Sequence, residues 1–377
     1  MGDIFEDMRP YTDAEAAAVL PHLAGSALVA KAAQFLFPDK EPDYLPNQMR
    51  SCKSVDEFQR KVIAEILFRD LKLSNSTLSY SGLEHFKRSD GSIGKFVLIS
   101  THRDIVLDPA FVQLALLGGG MPMSEIAVGD NLLANSDIED AMRSNRMIKV
   151  VRSDNPRVVY ESSKLLSAYI RDRVAGDKRS IWISHRQGRT KNGYDHTEQG
   201  LLKMLDMSGT GSFYENFEQL HLMPVTISYE WETCGALKAL ETITRDKQGY
   251  YHKKPGEDVN SMLQGFIQHK GRIHVDFAQP VTGEELLQAD VSVRNEKFRI
   301  LADILDKRFM ASFKLWPANY AAADILSGSR EYFDKGMYTD DDRLELVERL
   351  KKESEGMGEE VYGRMLGIYA AHVLETN

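Results

Sequence analysis

Cysteine is nearly absent from this chain: its 377 residues hold two, Cys52 and Cys234, far apart in sequence. That argues against a disulfide framework and a cysteine-built metal site, and it suits a reducing compartment. Long apolar runs are missing too. The longest uncharged stretch, residues 109–124, falls short of the ~20 residues that cross a bilayer and is broken by glycines and a proline. No membrane-spanning helix is therefore expected. The first residues, "MGDIFEDMRP", place acids where a secretory leader carries basic residues, and they lack the Ser or Thr that favours myristoylation. The expected location is cytoplasmic, with peripheral contact at the inner membrane surface as the closest approach to lipid. Repeats and low-complexity segments are absent.

What is present is an ordinary globular composition, 42% apolar, with a net charge of −9 that disfavours a nucleic-acid partner. The charge is uneven. Residues 141–191 hold 13 Lys and Arg against 4 Asp and Glu, whereas residues 330–360 hold 6 against 11. A basic middle in an acidic chain points to a local anion site or to a face for an anionic membrane or carrier; a solvated helix face is the plainer reading for residues 164–173.

The first eighty residues read as helical. "TDAEAAAVLPHLAGSALVAKAAQFLF" has Thr12 as a cap, and "SVDEFQRKVIAEILFRDLKL" has Ser54, with Phe58, Val62, Ile66 and Leu67 on one face. From about residue 94, short β-branched runs recur: "KFVLIS", "EIAVG", "MIKVV", "SIWIS", "LMPVTISY" and "RIHVDF". Helical stretches at 109–117, 157–173 and 197–205 separate most of them. Such alternation, with runs apolar on both faces, predicts an α/β domain around a mixed, largely parallel sheet flanked by helices. After about residue 290 the chain returns to helix. The expected organisation is a helical unit at 1–80, an α/β domain at 81–290 and a helical extension at 291–377.

Ligands of such sheets lie beyond the carboxyl ends of the strands. There "KFVLIS" runs into "THRDIVLDPA", so His102 sits at a strand end with Asp104 and Asp108 close behind. A carboxylate on one imidazole nitrogen fixes the tautomer and stabilises the imidazolium, freeing the other nitrogen to take a proton from a hydroxyl. Asp108 before Pro109 also reads as a helix N-cap, a role that can coexist with orienting a histidine. It is the preferred partner, with Asp104 expected in the turn. "SIWIS" runs into a loop holding His185, Arg186, Arg189 and Lys191 around Gly188, a set suited to phosphate oxygens. Arg152, after "MIKVV", is a further candidate; Lys149 falls on the opposite face of its strand. A metal-dependent hydrolase using His102, Asp104, Asp108 and His185 as ligands is a rival reading, weakened by the lack of a second compact His/Asp cluster.

In order, these motifs resemble the glycerolipid acyltransferase superfamily, which includes the glycerol-3-phosphate and 1-acylglycerol-3-phosphate acyltransferases. "HRDIVLDPA" is similar to the family's first motif, although five residues rather than four separate His102 from Asp108, which keeps Asp104 open as the partner. "NRMIKVVRS" is similar to the second, "IWISHRQGRTKNG" to the third through Gly188 and Arg189, and "LMPVTISYE" around Pro224 to the fourth. In the third motif, Arg186 and Gln187 stand where the family has a glutamate. The likeness spans residues 96–230, and a helical N-terminal unit resembles that of the soluble plastid-type enzymes. It implies transfer of a fatty acyl group from a coenzyme A or acyl carrier protein thioester to the hydroxyl of glycerol-3-phosphate or 1-acylglycerol-3-phosphate. His102 would be the general base and Asp108 its orienting partner. Arg189, with Arg152, Arg186 and Lys191, would hold the acceptor phosphate, and neither metal nor cofactor would be needed. Another acceptor, such as a hydroxylated acyl amino acid, and an inactive lipid- or carrier-binding scaffold are the alternatives.

Overall fold

The computed structural model describes residues 3–133 and 135–375. Seven strands among them form one sheet: β1 (Thr77–Ser81), β2 (Val97–Ser100), β3 (Glu125–Gly129), β4 (Met147–Val150), β5 (Ile181–Ser184), β6 (Leu222–Tyr229) and β7 (Arg272–Phe277). Their order is β1-β7-β6-β2-β5-β3-β4. All neighbours run parallel except β6 and β7, which are antiparallel. The architecture is thus the expected mixed, largely parallel sheet flanked by helices.

Six of these strands coincide with the β-branched runs; burial on both faces imposes continuous apolar sequence on the central ones, while β7 alternates buried with half-exposed residues. Every residue of β2 and β6 is buried. The seventh, β1, has the sequence TLSYS and is mostly exposed. As an edge strand beside β7 it needs no apolar run, so periodicity alone does not reveal it.

Helices cover both faces. Val97 and Ile99 of β2 point into one core with helices Pro156–Val174, Gln199–Asp206 and Arg294–Ser312; Leu98 points into the other with helices Ala64–Leu73 and Leu107–Gly118. Helix Glu359–Glu375 packs with helices Gly235–Gln248 and Pro317–Ser327 around a third cluster. The first eighty residues have their own core, from Ala16 to Val62. The stretch after Thr12 is not one helix. Helices Asp13–Leu23 and Ala27–Leu36 meet at 78°, and Ser26 starts the second by accepting from the Val29 N–H. The stretch after Ser54 is continuous but carries a π-turn at Gln59–Ile63.

Candidate active site

The loop after β2 is stitched from both sides. Thr101 N–H donates to Val225 of β6, and the Thr101 hydroxyl accepts from Ile227 N–H. On the other side His185 N–H donates to Ser100, and Thr190 N–H donates to the His102 carbonyl at 2.6 Å. His102 therefore projects from a backbone fixed by two neighbouring strands. Its Nδ1 lies 3.1 Å from Asp108 Oδ2, so a neutral ring bonded this way donates from Nδ1 and leaves Nε2 unprotonated.

Asp108 is fully buried and every contact it makes orients this loop. Oδ2 also accepts from the backbone N–H of Arg103 at 2.5 Å and Asp104 at 2.8 Å, and Oδ1 accepts from the Tyr229 hydroxyl at 2.8 Å. Burial pushes the Asp108 carboxyl above the ordinary range, with the His102 hydrogen bond pulling the other way. Burial, followed by the charges of Asp108 and Asp104, holds the Tyr229 phenol well above its usual value. The capping expectation for Asp108 is overturned. Helix Leu107–Gly118 begins two residues earlier, with Val106 at the N-cap position, and it is Asp104 that serves the entering turn: its Oδ1 accepts from Val106 and Leu107 N–H, each at 3.0 Å. Asp108 sits in the first helical turn and reaches back to the loop. Asp104 thus shapes the turn, and Asp108 contacts the imidazole.

His102 lines a cavity of about 370 Å³ at the carboxyl ends of β2, β3 and β5. Gly129, Ser184 and Trp182 contribute, the Trp182 ring standing edge-on to the imidazole at 6.4 Å between centroids. Arg152, Gly188, Arg189 and Lys191 line the same cavity, together with Lys253 and Asp258 from beyond the sheet. Gly188 adopts φ +75°, a conformation that side chains other than glycine strain to reach. Arg186 does not join them; its guanidinium turns toward Glu198, 4.0 Å away.

The four cations are not equivalent. Lys191 is ion-paired with Glu241, and burial lowers its ammonium pKa against that pull. Lys253 is paired with Asp258 at 2.6 Å. Arg152 is exposed, two residues past β4. Arg189 is only 7% exposed, has one long contact from Nη2 to Ser261 at 3.4 Å, and leaves Nη1 without a hydrogen-bond partner among the described residues. A buried guanidinium with spare donors is costly unless an anion completes it.

Beside the cavity, Arg103 is buried in an ionic knot. It bonds Asp195 at 2.7 Å, Glu232 at 3.1 Å and the Gly193 carbonyl at 3.1 Å, and its Nη2 lies 2.7 Å from His372 on helix Glu359–Glu375. Much of the basic middle is spent in the same way: Arg143 on backbone carbonyls, Arg146 on Asp56, and Arg171 on the carbonyls of Asn216 and Leu205. His185 is likewise structural. It is fully buried, with Nδ1 3.0 Å from the Ser100 carbonyl, and burial lowers its pKa to about 4. Among the described residues no three His, Cys, Asp or Glu form a metal-binding group. His102, Asp104, Asp108 and His185 do not make one ligand set.

Tyr229, Arg103, Trp182 and Lys253 were not singled out from sequence. Tyr229 had a readable signal, a polar ring closing a buried strand beside β2. Lys253 comes from a segment whose approach to the sheet no local pattern announces.

Ile105 lines the polar His102 cavity, while its neighbour Val106 lines a second one, of about 160 Å³. It is almost wholly apolar, bounded by Ile63, Leu67, Ala110, Leu114, Met147 and Phe266 among others.

No family model and no curated protein matches this chain significantly. Among solved structures it is similar to the 1-acyl-sn-glycerophosphate (LPA) acyltransferase PlsC from Thermotoga maritima. That likeness has 9% identity over 77% of this chain and 93% of that one, with a TM-score of 0.38.

Proposed function

We propose that the protein is an O-acyltransferase that moves a fatty acyl group from a thioester to the hydroxyl of a phosphate-bearing acceptor, glycerol-3-phosphate or its 1-acyl derivative. The observation that carries this reading is the pairing, in one cavity, of an oriented imidazole and an uncompensated buried guanidinium. The acceptor phosphate completes Arg189, with Arg152 at the rim. His102 Nε2 takes the hydroxyl proton while the oxygen forms its bond to the thioester carbonyl carbon. The tetrahedral adduct then collapses, the carbon–sulfur bond breaks, and the imidazolium proton neutralises the departing thiolate. Asp108 holds the ring throughout and stabilises its charged form. The apolar cavity beyond Val106 supports the same reading, being a dry slot of the kind an alkyl chain fills.

Coenzyme A and acyl carrier protein thioesters both satisfy this chemistry, and no metal or cofactor enters the scheme. The test incubates purified protein with palmitoyl coenzyme A or palmitoyl acyl carrier protein and each acceptor, following free thiol. Acceptor-dependent thiol release that His102→Ala lowers by at least ~100-fold supports the reading. Release that does not depend on acceptor, or that survives the substitution, overturns it.

A further inference from the structure

Helix Glu257–Ile267 borders the cavity, as a roof at its edge, through Asp258, and its two faces differ sharply. On the inner face Ser261 touches Arg189, and Gly265 packs against Asp104 so closely that a Cβ there would lie 2.4 Å from Asp104 Oδ2. On the outer face Val259, Leu263 and Ile267, spaced i, i+4, i+8, are 52%, 62% and 59% exposed. A soluble helix ordinarily turns charged residues to water. Here residues 259–268, VNSMLQGFIQ, carry no charge at all.

The surroundings are those of a lipid interface. The segment leading into the helix reads GYYHKKPG, with Tyr250, Lys253 and Lys254 exposed; Lys253 is paired with Asp258 in the first helical turn, whereas Lys254 makes no ion pair among the described residues. At the helix's other end, His269 Nδ1 lies 2.7 Å from the Ser74 carbonyl and Lys270 pairs with Asp70. Those ties set helix Ala64–Leu73 alongside, which adds exposed Phe68, Leu73 and Lys72. Apolar side chains, a tyrosine and flanking lysines are what headgroups and acyl chains of an anionic bilayer reward together.

We propose that this roof helix and its lysine-flanked lead-in form a docking element for an anionic lipid surface, bringing the mouth of the His102 cavity to the bilayer. The purpose assigned to docking rests on the acyltransferase reading, since a lipid acceptor or product resides there; the docking itself does not. A bilayer suits the element better than an acidic carrier protein, because the outer stripe offers three aliphatic side chains and no cation between Asp258 and His269.

The experiment is flotation of the purified full chain with phosphatidylcholine vesicles, with and without phosphatidylglycerol. Wild type should rise with the anionic vesicles. Leu263→Asp with Ile267→Asp should reduce the bound fraction by at least ~10-fold, since two inserting side chains are lost. Lys254→Glu should weaken binding only to the anionic vesicles, by about five-fold or more, and added salt should reproduce that loss. Should the Asp pair fail to give a wild-type melting curve, Leu263→Ser with Ile267→Ser replaces it with the same expectation. Thiol release with water-soluble glycerol-3-phosphate should stay at the wild-type rate in these variants, and because flotation needs no turnover, failure of the chemistry and failure of docking are read separately. The proposal is overturned if wild type stays with the sediment at low salt, or if the variants float as it does. It is equally overturned if the stripe proves to be covered by a second copy, seen as a dimer that the Asp pair splits, or by an acyl carrier protein retained on the same residues, without vesicle binding.

Discussion

Tyr229 donates its hydroxyl to Asp108 Oδ1 at 2.8 Å while Asp108 Oδ2 lies 3.1 Å from His102 Nδ1, so a phenol at the end of β6 helps fix the carboxylate that orients the imidazole. Removing that hydroxyl frees Asp108 to rotate without touching substrate. Tyr229→Phe is expected to lower kcat by about 10-fold with little change in acceptor KM, and His102→Ala by at least ~100-fold. Steady-state kinetics checks both. A KM effect exceeding the kcat effect in Tyr229→Phe would place the phenol in acceptor binding instead.

Arg189 gives a prediction in which stability and function move apart. Its guanidinium is buried and under-bonded, so Arg189→Met, of similar length and without charge, should stabilise the unliganded protein by roughly 1–3 kcal/mol while abolishing use of phosphate-bearing acceptors. Inorganic phosphate should raise the melting temperature of wild type and leave that of Arg189→Met unmoved. Thermal shift at several phosphate concentrations reads both, and equal responses in the two proteins would remove Arg189 from the anion site.

The apolar cavity sets a length preference if it holds the acyl chain. Ala110 lines it, and Ala110→Leu should shift the preferred thioester toward shorter chains. Each methylene excluded should cost the longer donor about 0.8 kcal/mol, close to four-fold in kcat/KM. Competition between donors of different length is the measurement; an unchanged ratio would assign the chain to another surface.

His185 makes stability depend on pH. Its folded-state pKa is near 4, below the unfolded value of about 6.5, so the unfolded chain binds more protons between those limits. The contribution is complete above pH ~6.5 and is lost as pH falls toward 4, amounting to about 3 kcal/mol in all. Urea unfolding across that window should show stability falling with acid in wild type and a flatter dependence in His185→Asn. The comparison between the two proteins isolates this residue from Asp108, whose raised pKa acts in the opposite sense.

The sheet was readable where burial forced apolar sequence, on both faces in β2 and β6 and on alternate positions in β7, hence six strands at their observed places. The edge strand Thr77–Ser81 was not, because half-solvated backbone tolerates polar residues. At the site, His102, Gly188, Arg189 and Lys191 follow strand ends, and the rule that ligands gather there was enough to bring them together. Local pattern could not show that Asp104 and Asp108 divide their tasks opposite to the capping expectation. That division depends on where the helix starts, a difference of two residues. Nor could it show that Arg186 turns to Glu198, or that Lys253 and Asp258 reach the cavity from a segment about 150 residues after His102.

The Arg103 knot ties the loop after β2 to the far end of the described chain. His372 is 269 positions downstream of Arg103, yet its ring is among the groups that share the guanidinium next to His102 in the chain. Contacts between such distant residues close late, after shorter loops have formed. A chain that has built its sheet but not yet docked helix Glu359–Glu375 already holds the His102 backbone between its neighbouring strands, while the adjoining Arg103 guanidinium still lacks one of its buried partners.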